Sequence, residues 1–295
     1  MEKTKLILDT DISNEVDDQF ALVYLVKSLN FEDIEAITIA PFSNSGYAQT
    51  NSASEGTELS FITACKVLDL IDAGELKSKV IKGAEAYFNE SRQTNPAVQK
   101  IIECARNNQK TTILAIGAIT NVALALEHAP DIATKIKVIW LGGNSFLSER
   151  NDEFNFKQDV EAVKKVFYSK VDLTVIPCKN VASLLSISVY ELKHYIQDKG
   201  NIGKYLCEIF ENCKRFYRKN PIDEIGENKV LWDLSVIAFF IHPEWFETKA
   251  VKCPKICDDL SYKKKFTRRK IKFVLNMSRH KIYQDFFLKL GSEGN

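Results

Sequence analysis

The segment Asp9-Thr10-Asp11-Ile12-Ser13-Asn14-Glu15-Val16-Asp17-Asp18 holds five acids in ten positions, directly after the apolar run Leu6-Ile7-Leu8. Asp9 and Asp11 are two apart, so an extended backbone puts both on one side. Asp17 and Asp18 open a run of helical periodicity, with Phe20, Ala21, Tyr24, Leu25 and Leu29 as its core contacts and Asn14 as its expected cap. A helix N-terminus favours one anion, not several. Two carboxylates about 4 Å apart repel by roughly 4 kcal/mol at an effective dielectric near 20. Protons or a cation must therefore neutralise the cluster, and oxygen-only ligands select a hard divalent ion, Ca²⁺ or Mg²⁺. A solvated acidic turn with one capping Asp is the plainer reading, but the density of acids at the end of a strand favours a metal site. Asp233 is a lone acid in the near-continuous apolar pattern KVLWDLSVIAFF and needs a partner there, either an ion pair or the same metal.

The elements that must position these acids are legible as apolar runs. KLILDT, IEAITIA (34–40), KVIKG (79–83), TTILAIG (111–117), IKVIWLGG (136–143) and VDLTVIP (171–177) read as strands covered on both faces. Helical patterns alternate with them near 17–29, 51–73, 96–108, 120–128 and 159–168. This rhythm predicts an α/β fold with a doubly wound, mostly parallel sheet. Beyond residue 180 the pattern is mostly helical, at 188–198, 202–218 and 229–241, before a last strand at 270–276 and a helix near 279–289. No linker or repeat divides the chain, so one domain over 1–295 is expected. Ligands of open α/β sheets sit beyond the carboxyl ends of the strands, which is where Asp9 and Asp11 fall.

Composition narrows the function classes. With 45% hydrophobic and 27% charged residues and a net charge of +1, nothing pulls the chain toward DNA or an anionic membrane. Seven scattered cysteines argue for free thiols in a reducing compartment, including Cys253 and Cys257. No signal segment or bilayer-length apolar stretch appears, so a soluble, cytoplasmic protein is expected. The basic run KKKFTRR (263–269) reads as a solvated turn in preference to an RNA contact. Gly83, Gly142 and Gly143 form no dinucleotide fingerprint. Asp-Thr-Asp after a strand also suggests haloacid-dehalogenase phosphatases, but residue 13 is Ser, and Asp17-Asp18 has no role in that scheme.

Asp9-Thr10-Asp11 followed by Asp17-Asp18 resembles the N-terminal signature of the inosine–uridine-preferring nucleoside hydrolases. Most members carry Asp-x-Asp-Pro-Gly-x-Asp-Asp; a branch carries a longer turn like the one here, where Ile12-Ser13 replaces Pro-Gly. Four further stretches match in order. APFSN (40–44) resembles a ribose-approaching loop, mapping to Asn44. AIGAITNVALAL (115–126) resembles the segment whose carbonyl joins the metal shell, mapping to Ile116. LGGN…EFN (141–155) resembles the ribose-binding region, mapping to Asn144, Glu153 and Asn155. LWDLSVIA (231–238) resembles the helix start that supplies a late metal ligand, mapping to Asp233. Read without the family, Thr120 or Asn121 is a helix cap, Asn144 a turn residue, and Glu153 and Asn155 exposed loop polars.

The resemblance implies Ca²⁺-dependent hydrolysis of the N-glycosidic bond of a ribonucleoside, giving free base and ribose. Asp11, Asp18, Asp233 and the Ile116 carbonyl would hold the metal, and Asp11 would take the proton of the attacking water. Asp17, Asn44, Asn144, Glu153 and Asn155 would bind the sugar, with Asp9 orienting its neighbours from behind. A homodimer or homotetramer is implied. Many members place a His just before the late Asp to protonate the leaving base; here Trp232 stands there, to stack on the base or pack in the core. Of the four histidines, His128 and His242 read as helix ends, and none matches an acid position. Tyr217 and Arg218 could face the base pocket, but they read as surface-helix residues in preference. The missing His also motivates an alternative, a non-catalytic nucleoside or ribose binder.

Overall fold

The continuous apolar runs become strands buried on both faces. The computed structural model describes residues 5–291 other than 109, 147, 149 and 218–226. Arg218 and the side chain of Tyr217 lie outside the described residues, as do the side chains of Lys264, Lys265, Phe266 and Arg268.

Strands β1 (Lys5–Thr10), β2 (Ile34–Ile39), β3 (Val80–Lys82), β4 (Thr111–Ala115), β5 (Ile136–Leu141) and β6 (Asp172–Ile176) pair in parallel, in the order β3-β2-β1-β4-β5-β6. The chain winds outward from β1 through β2 to β3, then returns to lay β4 on the other side of β1. That reversal opens a crevice at the carboxyl ends of β1 and β4, the place where α/β sheets take ligands.

Helices cover both faces. Leu6 and Leu8 of β1 face one core, packed by α1 (Asp17–Ser28), α2 (Ala53–Leu70), α7 (Val189–Ile196), α8 (Gly200–Tyr217), α9 (Leu234–Ile241) and α10 (Arg279–Gly291). Ile7 faces the other, packed by α3 (Pro96–Asn107), α4 (Thr120–His128), α5 (Phe154–Gln158) and α6 (Val160–Tyr168). Successive strand residues point to opposite faces, so one apolar run serves both cores.

Several sequence expectations need correction. The helix expected at 229–241 divides into β8 (Asn228–Val230), a turn, and α9; β8 pairs with β7 (Ser186–Ser188). The last strand is not confined to 270–276. It is β10 (Tyr262–Met277), beside β6 and antiparallel to the edge strand β9 (Phe246–Ile256). The basic run therefore lies within a strand and not in a turn. β9 escapes the apolar pattern because most of its residues face solvent, as edge strands do. Asn14 does not cap α1, whose N-cap Val16 makes no side-chain cap bond, and neither Thr120 nor Asn121 caps α4. Their side chains are engaged elsewhere.

Candidate active site

Strand β1 ends at Thr10, and the turn that follows is closed by Asn14 N–H donating to the Asp11 carbonyl at 2.6 Å. That turn delivers Asp17 and Asp18 to the start of α1. From the far side, α9 begins at Asp233, which stands at its N-cap and not within an apolar helix. Carboxylate oxygens of Asp17, Asp18 and Asp233 lie within 4.8 Å of one another. Segments far apart in the chain thus meet at one point.

A cavity of about 320 Å³ opens over these acids; Asp11, Asp17, Asp18, Ile116 and Asp233 line it, as do Asn144, Glu153, Asn155 and Trp232. Two other predicted residues do not line it. Asp9 lies behind the floor, its Oδ1 accepting from Thr38 Oγ1 at 2.6 Å and Asn121 Nδ2 at 2.9 Å. Asn44 also stands back: its Nδ2 donates to Asn14 Oδ1 at 2.8 Å, and its own Oδ1 accepts from Gly46 and Tyr47 N–H. Asn44 therefore braces a lining residue.

The floor is buried negative charge. Asp11, Asp17, Asp18 and Asp233 are 1–3% exposed. Burial first, then the Asp17 charge, pushes the Asp18 carboxyl up to about 7. Burial pushes Asp17 up to about 6 against the pull of the Lys229 ammonium. Asp11 and Asp233 are raised well above the usual range by burial and then by Asp18. Two like charges 4.8 Å apart at an effective dielectric near 20 repel by about 3.5 kcal/mol. Local donors relieve only part of this. Asp18 Oδ1 accepts from Thr10 Oγ1 at 2.6 Å, and Asp17 Oδ2 from Trp232 N–H at 3.0 Å. Both oxygens of Asp11, with Asp17 Oδ1, are buried and accept no hydrogen bond among the described residues. An oxygen-only set with orphaned acceptors fits a hard divalent cation. The sequence expectation paired Asp11 with Asp18 and Asp233; the tightest trio contains Asp17 instead, with Asp11 on the same cavity.

The opposite wall comes from the loop after β5. Glu153 Oε2 accepts from Gly143 N–H at 2.7 Å and Phe156 N–H at 2.9 Å, and Oε1 from Asn155 N–H at 2.9 Å. It caps α5 and ties that helix back to the β5 end, so it is not an exposed loop polar. Asn155 Nδ2 donates to the carbonyls of Ile116 at 2.9 Å and Leu141 at 3.0 Å, joining the ends of β4 and β5. Asn144 Oδ1 accepts from Lys179 N–H at 3.2 Å, while its buried Nδ2 has no acceptor among the described residues. That is a spare donor beside the cavity.

Sequence reasoning missed Asn121, whose amide also donates to the Ile39 carbonyl at 2.9 Å and accepts from Ala84 N–H at 2.9 Å. The signal was present: an amide in the apolar run AITNVALAL needs a buried partner. It also missed Asn14, Glu15, Asp152, Cys178 and Lys179 as lining residues, which only the closing of loops brings there.

Comparison with known proteins identifies the family and the fold. The family model for inosine-uridine preferring nucleoside hydrolase matches residues 6–268. The chain is similar to probable uridine nucleosidase 1 of Oryza sativa subsp. japonica, at 26% identity over 84% of this chain and 80% of that one. It is also similar to the pyrimidine-specific ribonucleoside hydrolase RihA of Salmonella typhimurium, at 27% identity over 82% and 81%. Among solved structures, the plant nucleoside hydrolase PpNRh1 shares the fold with a TM-score of 0.78 at 19% identity, covering 99% of this chain and 100% of that one. The purine-preferring ribonucleoside hydrolase from Gardnerella vaginalis does so with a TM-score of 0.77 at 20% identity, over 98% of each chain. The chain thus belongs to the inosine-uridine preferring nucleoside hydrolase family and is an N-glycosyl hydrolase.

Proposed function

We propose that the protein is a Ca²⁺-dependent ribonucleoside hydrolase that cleaves the N-glycosidic bond to free base and ribose. The observation that carries this reading is the meeting of Asp17, Asp18 and Asp233 beneath a cavity that Asp11 lines with two unpaired oxygens. Asp11, Asp18, Asp233 and the Ile116 carbonyl would hold the ion, with Asp17 in reach. Once bound, the ion supplies charge that gathers sugar hydroxyls and a water and makes that water more acidic.

The chain's own groups do the rest. Asp11 has oxygens free to accept the proton of the attacking water as the C1′–N bond breaks. Asn144 offers its spare Nδ2 to a ribose hydroxyl, and Glu153, Asn155 and Asp17 surround the same sugar. Negative charge on this floor stabilises the positive charge that grows on the ribose in an oxocarbenium-like transition state. Asp9 holds β1 in place through Thr38 and Asn121. Trp232, half-buried on the cavity wall, gives the departing base a flat apolar surface.

The same reading makes the protein a cytoplasmic, single-domain enzyme over 1–295, assembled as a homodimer or homotetramer, with a nucleoside and neither nucleic acid nor membrane as its partner. The unbroken sheet from Lys5 to Met277 supports the single domain. Among the described residues no helix is long and apolar enough to cross a membrane. Incubation with purine, pyrimidine and nicotinamide ribosides plus Ca²⁺, followed by assay of free ribose, tests the activity. Release that stops on chelation and returns with Ca²⁺ is expected. Binding by calorimetry without ribose release from any riboside would identify the non-catalytic binder instead.

A further inference from the structure

The acidic floor has a cation built in behind it. Glu15 lines the same cavity as Asp11, Asp17, Asp18 and Asp233, and stands two residues before Asp17. Its Oε2 pairs with Lys229 Nζ at 2.5 Å; the Glu15 side chain is 26% exposed and that of Lys229 only 11%. The ammonium therefore lies one ion-pair length from a carboxylate of the cavity lining. The backbone holds it there, because Lys229 belongs to β8, opposite Ile187 of β7. Three residues further on, Trp232 N–H donates to Asp17 Oδ2 at 3.0 Å, and the next residue, Asp233, joins Asp17 and Asp18. The short segment 229–233 thus brings both a cation and an acid to the site. Burial disfavours the charge on Lys229, but Glu15 and then Asp17 outweigh it, so the side chain stays an ammonium. Asp17 feels that charge in turn: after burial, Lys229 is the next influence on its carboxyl. Lys179 at the cavity mouth differs, because at 64% exposure solvent screens it.

A fixed ammonium near the floor repels an arriving divalent ion, and a carboxylate beside it attracts that ion. The two partners therefore act on cation binding in opposite directions. The ammonium also steadies the empty floor, since it offsets part of the repulsion among the acids when no ion is bound. We propose that the Glu15–Lys229 pair sets the affinity of the acidic floor for its divalent cation, Lys229 holding that affinity down and Glu15 offsetting the ammonium. The consequence is a site that stays folded when empty and exchanges its ion reversibly. This rests on the metal-site part of the reading above and is independent of which riboside is cleaved.

The test is calorimetric titration of the chelator-stripped protein with Ca²⁺, with thermal melts of the same samples. Lys229→Met, similar in length and uncharged, should bind Ca²⁺ about 10–100-fold more tightly than wild type. Without the ion it should melt about 5–10 °C lower, because Glu15 loses its partner and the floor its counter-charge. Glu15→Gln leaves the ammonium without its carboxylate and should bind Ca²⁺ about 10-fold or more weakly. Lys229→Arg keeps the charge and should stay within about threefold of wild type. The opposite directions of the Met and Gln variants are the signature, since a pair that only braced the site would loosen Ca²⁺ in both. Where Lys229→Met fails to fold, Glu15→Gln and Lys229→Arg decide by the same criteria. A Lys229→Met protein that binds Ca²⁺ no more tightly, or a Glu15→Gln protein that binds it as tightly as wild type, overturns the inference while the hydrolase reading stands. The expected variant pattern in a protein that releases no ribose supports the inference and removes the hydrolase reading. A wild-type protein that takes up neither Ca²⁺ nor Mg²⁺ overturns the inference and the metal-dependent reading together.

Discussion

Asp11 holds two buried carboxylate oxygens with no donor among the described residues, a state a folded chain keeps only where something else supplies positive charge. Removing that carboxylate should remove catalysis without removing the fold. Asp11→Ala is expected to lower ribose release by about 10³-fold or more with an unchanged circular dichroism spectrum, measured with nitrophenyl riboside as well as nucleosides. Unchanged turnover would defeat the assignment of Asp11. Asn121 is the structural counterpart. It is fully buried and its amide holds Asp9, the Ile39 carbonyl and Ala84 N–H together. Asn121→Ala strands those groups, so a loss of about 2–3 kcal/mol is expected, seen as a fall in Tm of about 4–12 °C.

At the scale of elements, the site depends on how loops leave the strands. The loop after β5 turns at Gly143, whose φ of +73° favours glycine. A Cβ there would also sit 3.0 Å from Asn151 Nδ2 and from the Tyr262 hydroxyl. Gly143 carries Asn144 on one side and donates its N–H to Glu153 on the other. Gly143→Ala should therefore cost about 1–3 kcal/mol in stability. It should also misplace the sugar-binding wall, lowering kcat/KM by about 10–100-fold. Thermal unfolding and steady-state kinetics read the two effects separately. Retained kinetics with a lowered Tm would mean that Asn144 and Glu153 are not held by this turn. The β9–β10 hairpin reaches the same loop, since Tyr262 accepts from Asn151 Nδ2 and Leu260 from Asn151 N–H.

The whole molecule is organised around one electrostatic problem, the repulsion among acids drawn together from positions 11 to 233. A divalent ion bound by the native state alone should stabilise it in proportion to occupancy. At a Ca²⁺ concentration a hundred times Kd the gain is about 2.7 kcal/mol. Melting curves from chelator to millimolar Ca²⁺ should show Tm rising with the logarithm of concentration. Mg²⁺ should shift it less, because it tolerates a crowded protein shell poorly. Asp18→Ala should abolish the shift. A Tm indifferent to Ca²⁺ and Mg²⁺ would argue against any hard-cation site.

The sequence by itself determined the doubly wound sheet and most of its helices, because apolar runs covered on both faces have no other stable arrangement. It also made the acidic cluster visible, since five acids in ten positions after a buried strand demand neutralisation. Asp233 stood out for a similar reason, as an acid in apolar surroundings. The solvent-facing β9 gave no comparable pattern, and the caps expected from Asn14 and Asn121 yielded to long-range hydrogen bonds. Only tertiary structure decided that Asn44 stands back, that Glu153 caps a helix, and that Glu15 meets Lys229 across 214 positions. Those outcomes depend on which loops close over which strand ends, and local periodicity carries no information about contacts between distant segments.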